Sequence, residues 1–118
     1  MKELMEIDKI ILEQQEICKR YDLEYYHTDV WLKVGISKNI NSGKMPINGL
    51  RHNPEGDTCG WYIWAGEYDS SDDFFEPMHI IHLYDIYPDI IKYLGLPPQS
   101  RFLIDDKGYE DVWVDTIL

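Results

Sequence analysis

At 118 residues the chain has the size of one domain, and a chain of this length buries roughly two-thirds of the surface it exposes when unfolded, so its core needs no disulfide or metal to close. Its 44% hydrophobic and 14% aromatic content excludes a disordered polymer. A net charge of −11 argues against a surface for nucleic acid or anionic membrane and favours a basic partner, although the same charge also serves solubility.

The charge is uneven. Residues 1–59 carry 10 acids and 8 bases, whereas residues 60–118 carry 12 acids against Lys92, Arg101 and Lys107, a net of −9. The two cysteines, Cys18 and Cys59, lack paired CxxC spacing and read as reduced, partly buried thiols. Acids interrupt the short apolar stretch of MKELMEIDKII, so it does not read as a signal peptide. No apolar run approaches membrane-spanning length. The expectation is one cytoplasmic domain over residues 1–118.

The opening segment, residues 1–21, carries an amphipathic helix over residues 3–21. Leu4, Ile7, Ile11, Cys18 and Tyr21 recur at helical spacing, and Ile10 and Ile17 widen the stripe. Glu3 and Glu6 near its start and Lys19 and Arg20 near its end suit the helix dipole. Residues 22–32 read as a connection. Trp31–Ile36 follows as a strand with an interior glycine. Residues 37–58, rich in Asn, Gly and Pro, read as one long loop.

Trp61-Tyr62-Ile63-Trp64 is a strand by residue type, bounded by Gly60 and Gly66. Glu76-Pro77 looks like a helix start, with Met78, Ile81 and Leu83 on a stripe over residues 77–85. A second short helix is expected from Pro88 to Leu94, with Asp85 or Tyr87 at its start and Gly95 as a left-handed cap. Arg101–Asp105 and Tyr109–Asp115 flank Asp106-Lys107-Gly108, a hairpin signal in which the glycine takes the positive φ of a bulged turn. The fold class that results is α+β: a small mixed or antiparallel sheet of about four strands, with helices packed on one face.

Three kinds of site compete. Glu76-x-x-His79-x-x-His82 places ligand-type residues at successive i+3 spacings, which on a helix would let them approach a zinc ion or serve a hydrolase, with Asp72 and Asp73 near by. The spacing departs from HExxH, and the plainer reading has Glu76 or Asp73 capping the helix while the histidines pack or face water. Ser70-Ser71 lacks an elbow motif, and Cys59 reads as structural rather than as the partner of His79 or His82. Asp105-Asp106 is explained by turn chemistry. The loop around Arg51-His52 lacks a phosphate-cradling glycine pattern, and Arg51 is expected to pair with a carboxylate. No cofactor is implied.

The third kind is a contact surface. Strand alternation puts Trp61 and Ile63 on one face and Tyr62 and Trp64 on the other, and a sheet covered on one side leaves some rings among carboxylates. The residues expected to make contact are Tyr68, Asp69, Asp72, Asp73, Phe74 and Glu76, with Trp64 and Glu67 around them.

Several strings point to a family. Pro46-Ile47-Asn48-Gly49-Leu50-Arg51-His52, Gly60-Trp61-Tyr62-Ile63-Trp64-Ala65-Gly66-Glu67, Tyr93-Leu94-Gly95-Leu96-Pro97-Pro98, Arg101-Phe102-Leu103-Ile104 and Tyr109-Glu110-Asp111-Val112-Trp113 together resemble small bacterial immunity proteins of polymorphic toxin systems, of the type called immunity protein thirty-three. The resemblance spans about residues 33–118. It implies an intracellular antidote that binds and blocks a cognate toxin, with no chemistry and no catalytic residues of its own.

Overall fold

A computed structural model of the protein describes residues 7–116. Helix α1 (Ile7–Arg20) leads into strands β1 (Lys33–Ser37), β2 (Ile47–Arg51), β3 (Thr58–Ala65) and β4 (Phe75–His79). Helix α2 (Ile80–Ile86) and a 3₁₀ turn (Pro88–Tyr93) precede β5 (Ser100–Ile104) and β6 (Glu110–Val114). The strands form one mixed sheet in the order β4-β1-β3-β2-β5-β6. Only β1 and β3 run parallel among these pairs. The fold is α+β with helices on one face, as expected, but the sheet has six strands rather than four.

The two additional strands lay in segments that read differently in the sequence. Strand β2 falls inside the stretch expected to be loop, yet it is central, antiparallel to both β3 and β5. Its Asn48-Gly49 looks like turn chemistry. Gly49 is needed because a Cβ there would stand 2.1 Å from Phe102 Cε2. Strand β4 occupies Phe75–His79, where the helix was expected to begin. It lies at the sheet edge and pairs along its whole length with β1, and an edge is where a strand tolerates proline. The helix starts at Ile80 behind His79, which makes no side-chain cap, so neither Glu76 nor Asp73 caps it.

The hairpin of β5 and β6 is as expected. Gly108 has φ +89°, and the Asp105 carboxylate accepts hydrogen bonds from the backbone N–H groups of Lys107 (2.8 Å) and Tyr109 (2.9 Å). Pro88 does start a helical segment, as a 3₁₀ turn. Gly95 is not its left-handed cap: its φ is not among the positive values. It is required for close packing, since a Cβ would come within 2.6 Å of the Tyr25 ring and 2.9 Å of Gln14 Cβ.

The core lies between the helices and one face of the sheet. Val34, Ile36, Ile47, Trp61, Ile63, Phe102 and Val112 from the strands meet Ile10, Ile17, Leu83, Ile90 and Leu94. The buried stripe of α1 is Ile10, Gln14, Ile17 and Cys18, turned away from the expected Ile7, which is exposed. Leu4, Glu3 and Glu6 lie outside the described residues. Both cysteines are free and buried.

Arg51 sits in this core with no solvent exposure. No carboxylate among the described residues pairs with it, contrary to expectation. Its guanidinium instead donates to backbone carbonyls: Cys59 (3.0 Å), Leu94 (3.1 Å) and Leu96 (2.8 Å), and to Thr28 Oγ1 (2.8 Å). Tyr26 covers it at 4.7 Å from the ring centre. Burial pushes its pKa down, but arginine starts so high that it remains charged. Trp61 Nε1 also donates to the Leu94 carbonyl, at 3.1 Å. These bonds pin the segment 94–96 to the sheet.

A second polar clamp closes the far end. Glu110 on β6 accepts from Tyr21 and Tyr93 hydroxyls, each at 2.6 Å, and from Arg20. Burial alone would raise the Glu110 carboxyl, but the tyrosine and arginine hydrogen bonds outweigh it and hold the group below its usual value. The buried Tyr93 hydroxyl is pushed well above its own usual range, by burial first and then by Glu110.

Candidate functional site

Among the described residues, the other face of the sheet carries no helix. Register pairing lines up one row across all six strands: Pro77, Gly35, Tyr62, Leu50, Arg101 and Trp113. A neighbouring row holds Trp64, Asn48, Leu103 and Asp111. Alternation of β3 therefore separates Trp61 and Ile63 from Tyr62 and Trp64, as the sequence indicated. Tyr62 and Trp113 are each 39% exposed and Tyr68 is 60% exposed, so this face presents rings to solvent.

Gly35 shapes its centre. A Cβ there would fall 2.7 Å from Tyr62 Cδ1, so the tyrosine ring lies flat across the missing side chain. Its edge contacts are His52 at 5.6 Å and Phe75 at 5.2 Å between ring centres. From there the rings continue: Trp64 to Phe75 at 6.0 Å, Trp64 to Tyr68 at 5.5 Å, Tyr68 to Phe74 at 5.8 Å and Phe74 to Phe75 at 4.8 Å. Edge-to-face geometry of this kind adds to the apolar burial.

Of the eight residues singled out from the sequence, Trp64, Tyr68 and Phe74 join this ring cluster, Glu67, Asp69, Asp72 and Asp73 lie on the loop that carries it, and Glu76, paired with Ile36, has its side chain on the opposite face of β4 from Pro77. Their positions differ in kind. Trp64 is only 7% exposed and serves as floor, under Tyr68 and Phe75. Phe74 is half-buried. Glu67, Tyr68, Asp69, Asp72, Asp73 and Glu76 are exposed. Asp69 accepts from the Ser71 backbone N–H at 2.9 Å, which shapes the loop. Lys38 lies 3.8 Å from Asp73, a loose pair between exposed groups.

The bases of the outer face are already matched. Lys33 pairs with Asp57 at 2.9 Å and Arg101 with Asp115 at 3.0 Å. The Lys33 hydrogen bond and charge hold the Asp57 carboxyl below its usual value. At the aromatic corner the loop acids stand beside Lys38, near Asp73, and Lys44, whose side chain packs on Gly66.

Sequence reasoning passed over Tyr62, Leu50, His52 and Phe75 as contact residues. Alternation of β3 already put Tyr62 beside Trp64. Leu50 and His52 were illegible because β2 was. Hollows meet at Tyr62: one of about 190 Å³ is lined by Gly35, Gly60, Tyr62, Phe75, Glu76 and Pro77 among others. Another of about 240 Å³ is lined by Leu50, His52, Tyr62, Tyr68 and Phe75. The first arises where the β1–β3 register slips between Lys33 and Gly35. There Gly60, at φ +90°, presses against the His52 carbonyl, leaving no space for a Cβ.

The proposed metal set does not assemble. Glu76 and His79 stand on strand β4, an odd number of residues apart, so they point to opposite faces. His82 is on α2; its ring packs edge-on to His79 at 5.8 Å. The helical i+3 geometry that suggested the site is absent, and no group of three or more metal-ligating residues occurs among the described residues. Cys59 is fully buried, and burial raises its thiol, which disfavours the nucleophilic thiolate. This face presents aromatic area and shallow hollows, with exposed carboxylates on the loop at its corner. No helix among the described residues is long and apolar enough to cross a membrane.

A family profile described as the Imm33-like domain matches residues 13–115. No curated protein and no solved structure matches the chain.

Proposed function

Since the chain belongs to the Imm33-like domain family, we propose that it is an immunity protein of the bacterial cytoplasm that binds a cognate toxin and blocks it without chemistry of its own. The observation that supports this most is the uncovered sheet face, where exposed rings stand among carboxylates while Lys33 and Arg101 are already paired. The contact surface is Trp64, Glu67, Tyr68, Asp69, Asp72, Asp73, Phe74 and Glu76, extended by Tyr62. The partner is basic. Acids at the corner accelerate encounter, and rings such as Tyr68 and Tyr62 provide the anchoring energy.

The experiment is co-expression with candidate toxins from the source organism, followed by affinity and association-rate measurements on any pair that forms. Growth should be rescued, and the association rate should fall steeply with added salt. A toxin that remains active in the presence of a molar excess of the folded chain defeats the proposal.

A further inference from the structure

We propose that the free edge of β6 is the seat of a second copy of this chain, the two β6 strands pairing antiparallel to make one continuous sheet. The backbone carries the first observation. β6 is the last strand of the sheet, with β5 as its one neighbour. The Asp105 N–H donates to the Tyr109 carbonyl (3.2 Å) and the Asp115 N–H to the Gln99 carbonyl (2.8 Å). With the register between them, these bonds fix the phase of the ladder: residues 109, 111, 113 and 115 bond to β5. The N–H and C=O groups of Glu110, Val112 and Val114 therefore turn to the free edge. An extended chain is what satisfies such a row of groups.

The opposite edge is built differently. The Ile80 N–H donates to the Leu32 carbonyl at 3.0 Å, so the β1 register turns the backbone of Phe75, Pro77 and His79 outward. Pro77 has no N–H to offer there, which blunts that edge. β6 contains no proline. It exposes apolar groups on both sides of the sheet instead: Trp113 (39%) on the open face and Val114 (44%) on the other. Trp113 makes no ring contact among the described residues. Val112 between them sends its side chain into the core, so its backbone is what it has to offer.

Charge and register select a second copy. Of the acids in residues 110–115, Glu110 is matched by Arg20 and Asp115 by Arg101. That leaves Asp111, whose side chain has no hydrogen bond or ion pair among the described residues. One unmatched acid is little attraction for a strongly basic strand, and little obstacle to a like chain although each carries a net charge of −11. Pairing centred on Val112 brings the outward groups together along the whole strand: Val112 meets the second copy's Val112, and Glu110 meets its Val114. Asp111 then lies opposite Trp113 and never opposite another Asp111, so a like-charge pair, which destabilises a sheet, is avoided. The two indoles sit diagonally, within reach of each other. The proposed toxin surface lies around β3 and β4, three or more strands away, so this interface is independent of it.

The test is sedimentation equilibrium of the full chain from about 10 μM to about 1 mM, with amide hydrogen exchange followed by NMR over the same range. A monomer–dimer equilibrium should appear with a dissociation constant on the order of 100 μM, since a single strand pair is a small interface. Raising the concentration should slow exchange at Glu110, Val112 and Val114, and leave Asp111 and Trp113, already bonded to β5, unchanged. Val114→Pro deletes an N–H that no strand of the single chain uses, so the fold should persist while dimerisation weakens at least about tenfold. Trp113→Glu, at an exposed position, keeps the test decisive if the proline variant does not fold: it sets like charges opposite each other at both ends of the pair and should weaken it by a similar factor. A chain still monomeric at about 1 mM, a dimer indifferent to both variants, or protection centred on β4 or Tyr62 would each overturn the assignment. So would a chain monomeric by itself whose Glu110, Val112 and Val114 amides are protected by a toxin, an outcome that gives the edge to the toxin instead.

Discussion

The two faces of the sheet use their large side chains in opposite ways. On the covered face the charged groups are locked: Arg51 gives four hydrogen bonds without touching water, and Glu110 collects three donors. On the open face and the loop at its corner Tyr62, Glu67, Tyr68, Asp69 and Asp72 are exposed. The covered network defines which structure forms, because a buried polar group left unpaired is costly. The open face should cost stability little to alter, and under the proposed function it is where binding is specified. Substitutions should divide accordingly, stability on one side and affinity on the other.

The largest effect is expected at Arg51. Arg51→Met removes the side-chain donors that tie segment 94–96 to β2, leaving the Cys59 and Leu96 carbonyls and Thr28 without this partner. The loss should be about 3–5 kcal/mol, much of the total stability of a small domain. Arg51→Lys should rescue only a small part, since an ammonium cannot fork to four acceptors. Urea unfolding measures both. A variant within 1 kcal/mol of the parent, on the order of a surface change, would break the contrast between the faces.

On the open face the largest expected effect is on binding. Tyr62→Ala should weaken toxin affinity by at least about tenfold, as for an aromatic anchor, while its stability cost stays near 1 kcal/mol because the ring is already partly exposed. Isothermal titration and urea unfolding on the same preparation give both numbers. A stability loss matching that of Arg51→Met would show that the open face is structural after all.

The same division explains what the sequence revealed. The hairpin, the first strand, the 61–64 strand and the α1 helix were legible because periodicity and turn residues act locally. The inner strand β2 was not. Its glycine answers to Phe102 and its arginine to carbonyls 43 and 45 residues away, and neither constraint appears in a local window. Strand β4 was misread because Glu76-Pro77 is equally at home at a helix start and on a sheet edge, and only pairing with β1 decides. The corner of acids and rings was legible as composition. That Trp64 is its floor, and that Tyr62 is its centre, depended on Gly35, whose role is set by β3 pairing with β1.

Back on the covered face, Glu110→Gln should cost about 1–2 kcal/mol at neutral pH, the worth of charge-assisted hydrogen bonds less what the amide retains. The pH dependence is the sharper readout. Because the folded carboxyl lies below its usual value, its contribution is present above the unfolded pKa and fades as pH falls through the folded one. The gap between parent and variant should therefore close in acid. A gap unchanged by acid would mean that the glutamine differs by packing and not by charge.

The smallest effect concerns Asp72 and Asp73, both exposed. Neutralising them as Asp72→Asn and Asp73→Asn should leave stability within about 0.5 kcal/mol, since the one ion pair they make among the described residues is the loose 3.8 Å contact with Lys38. If they steer a basic partner, the association rate should fall several-fold at low salt and its salt dependence should flatten, with the dissociation rate nearly constant. The rates of parent and variant should converge at high salt, where charges more than a few ångströms apart are screened. An unchanged salt slope would remove the acids from the interface and leave the rings alone to account for binding; a faster dissociation would place Asp72 and Asp73 inside the contact instead of at its rim.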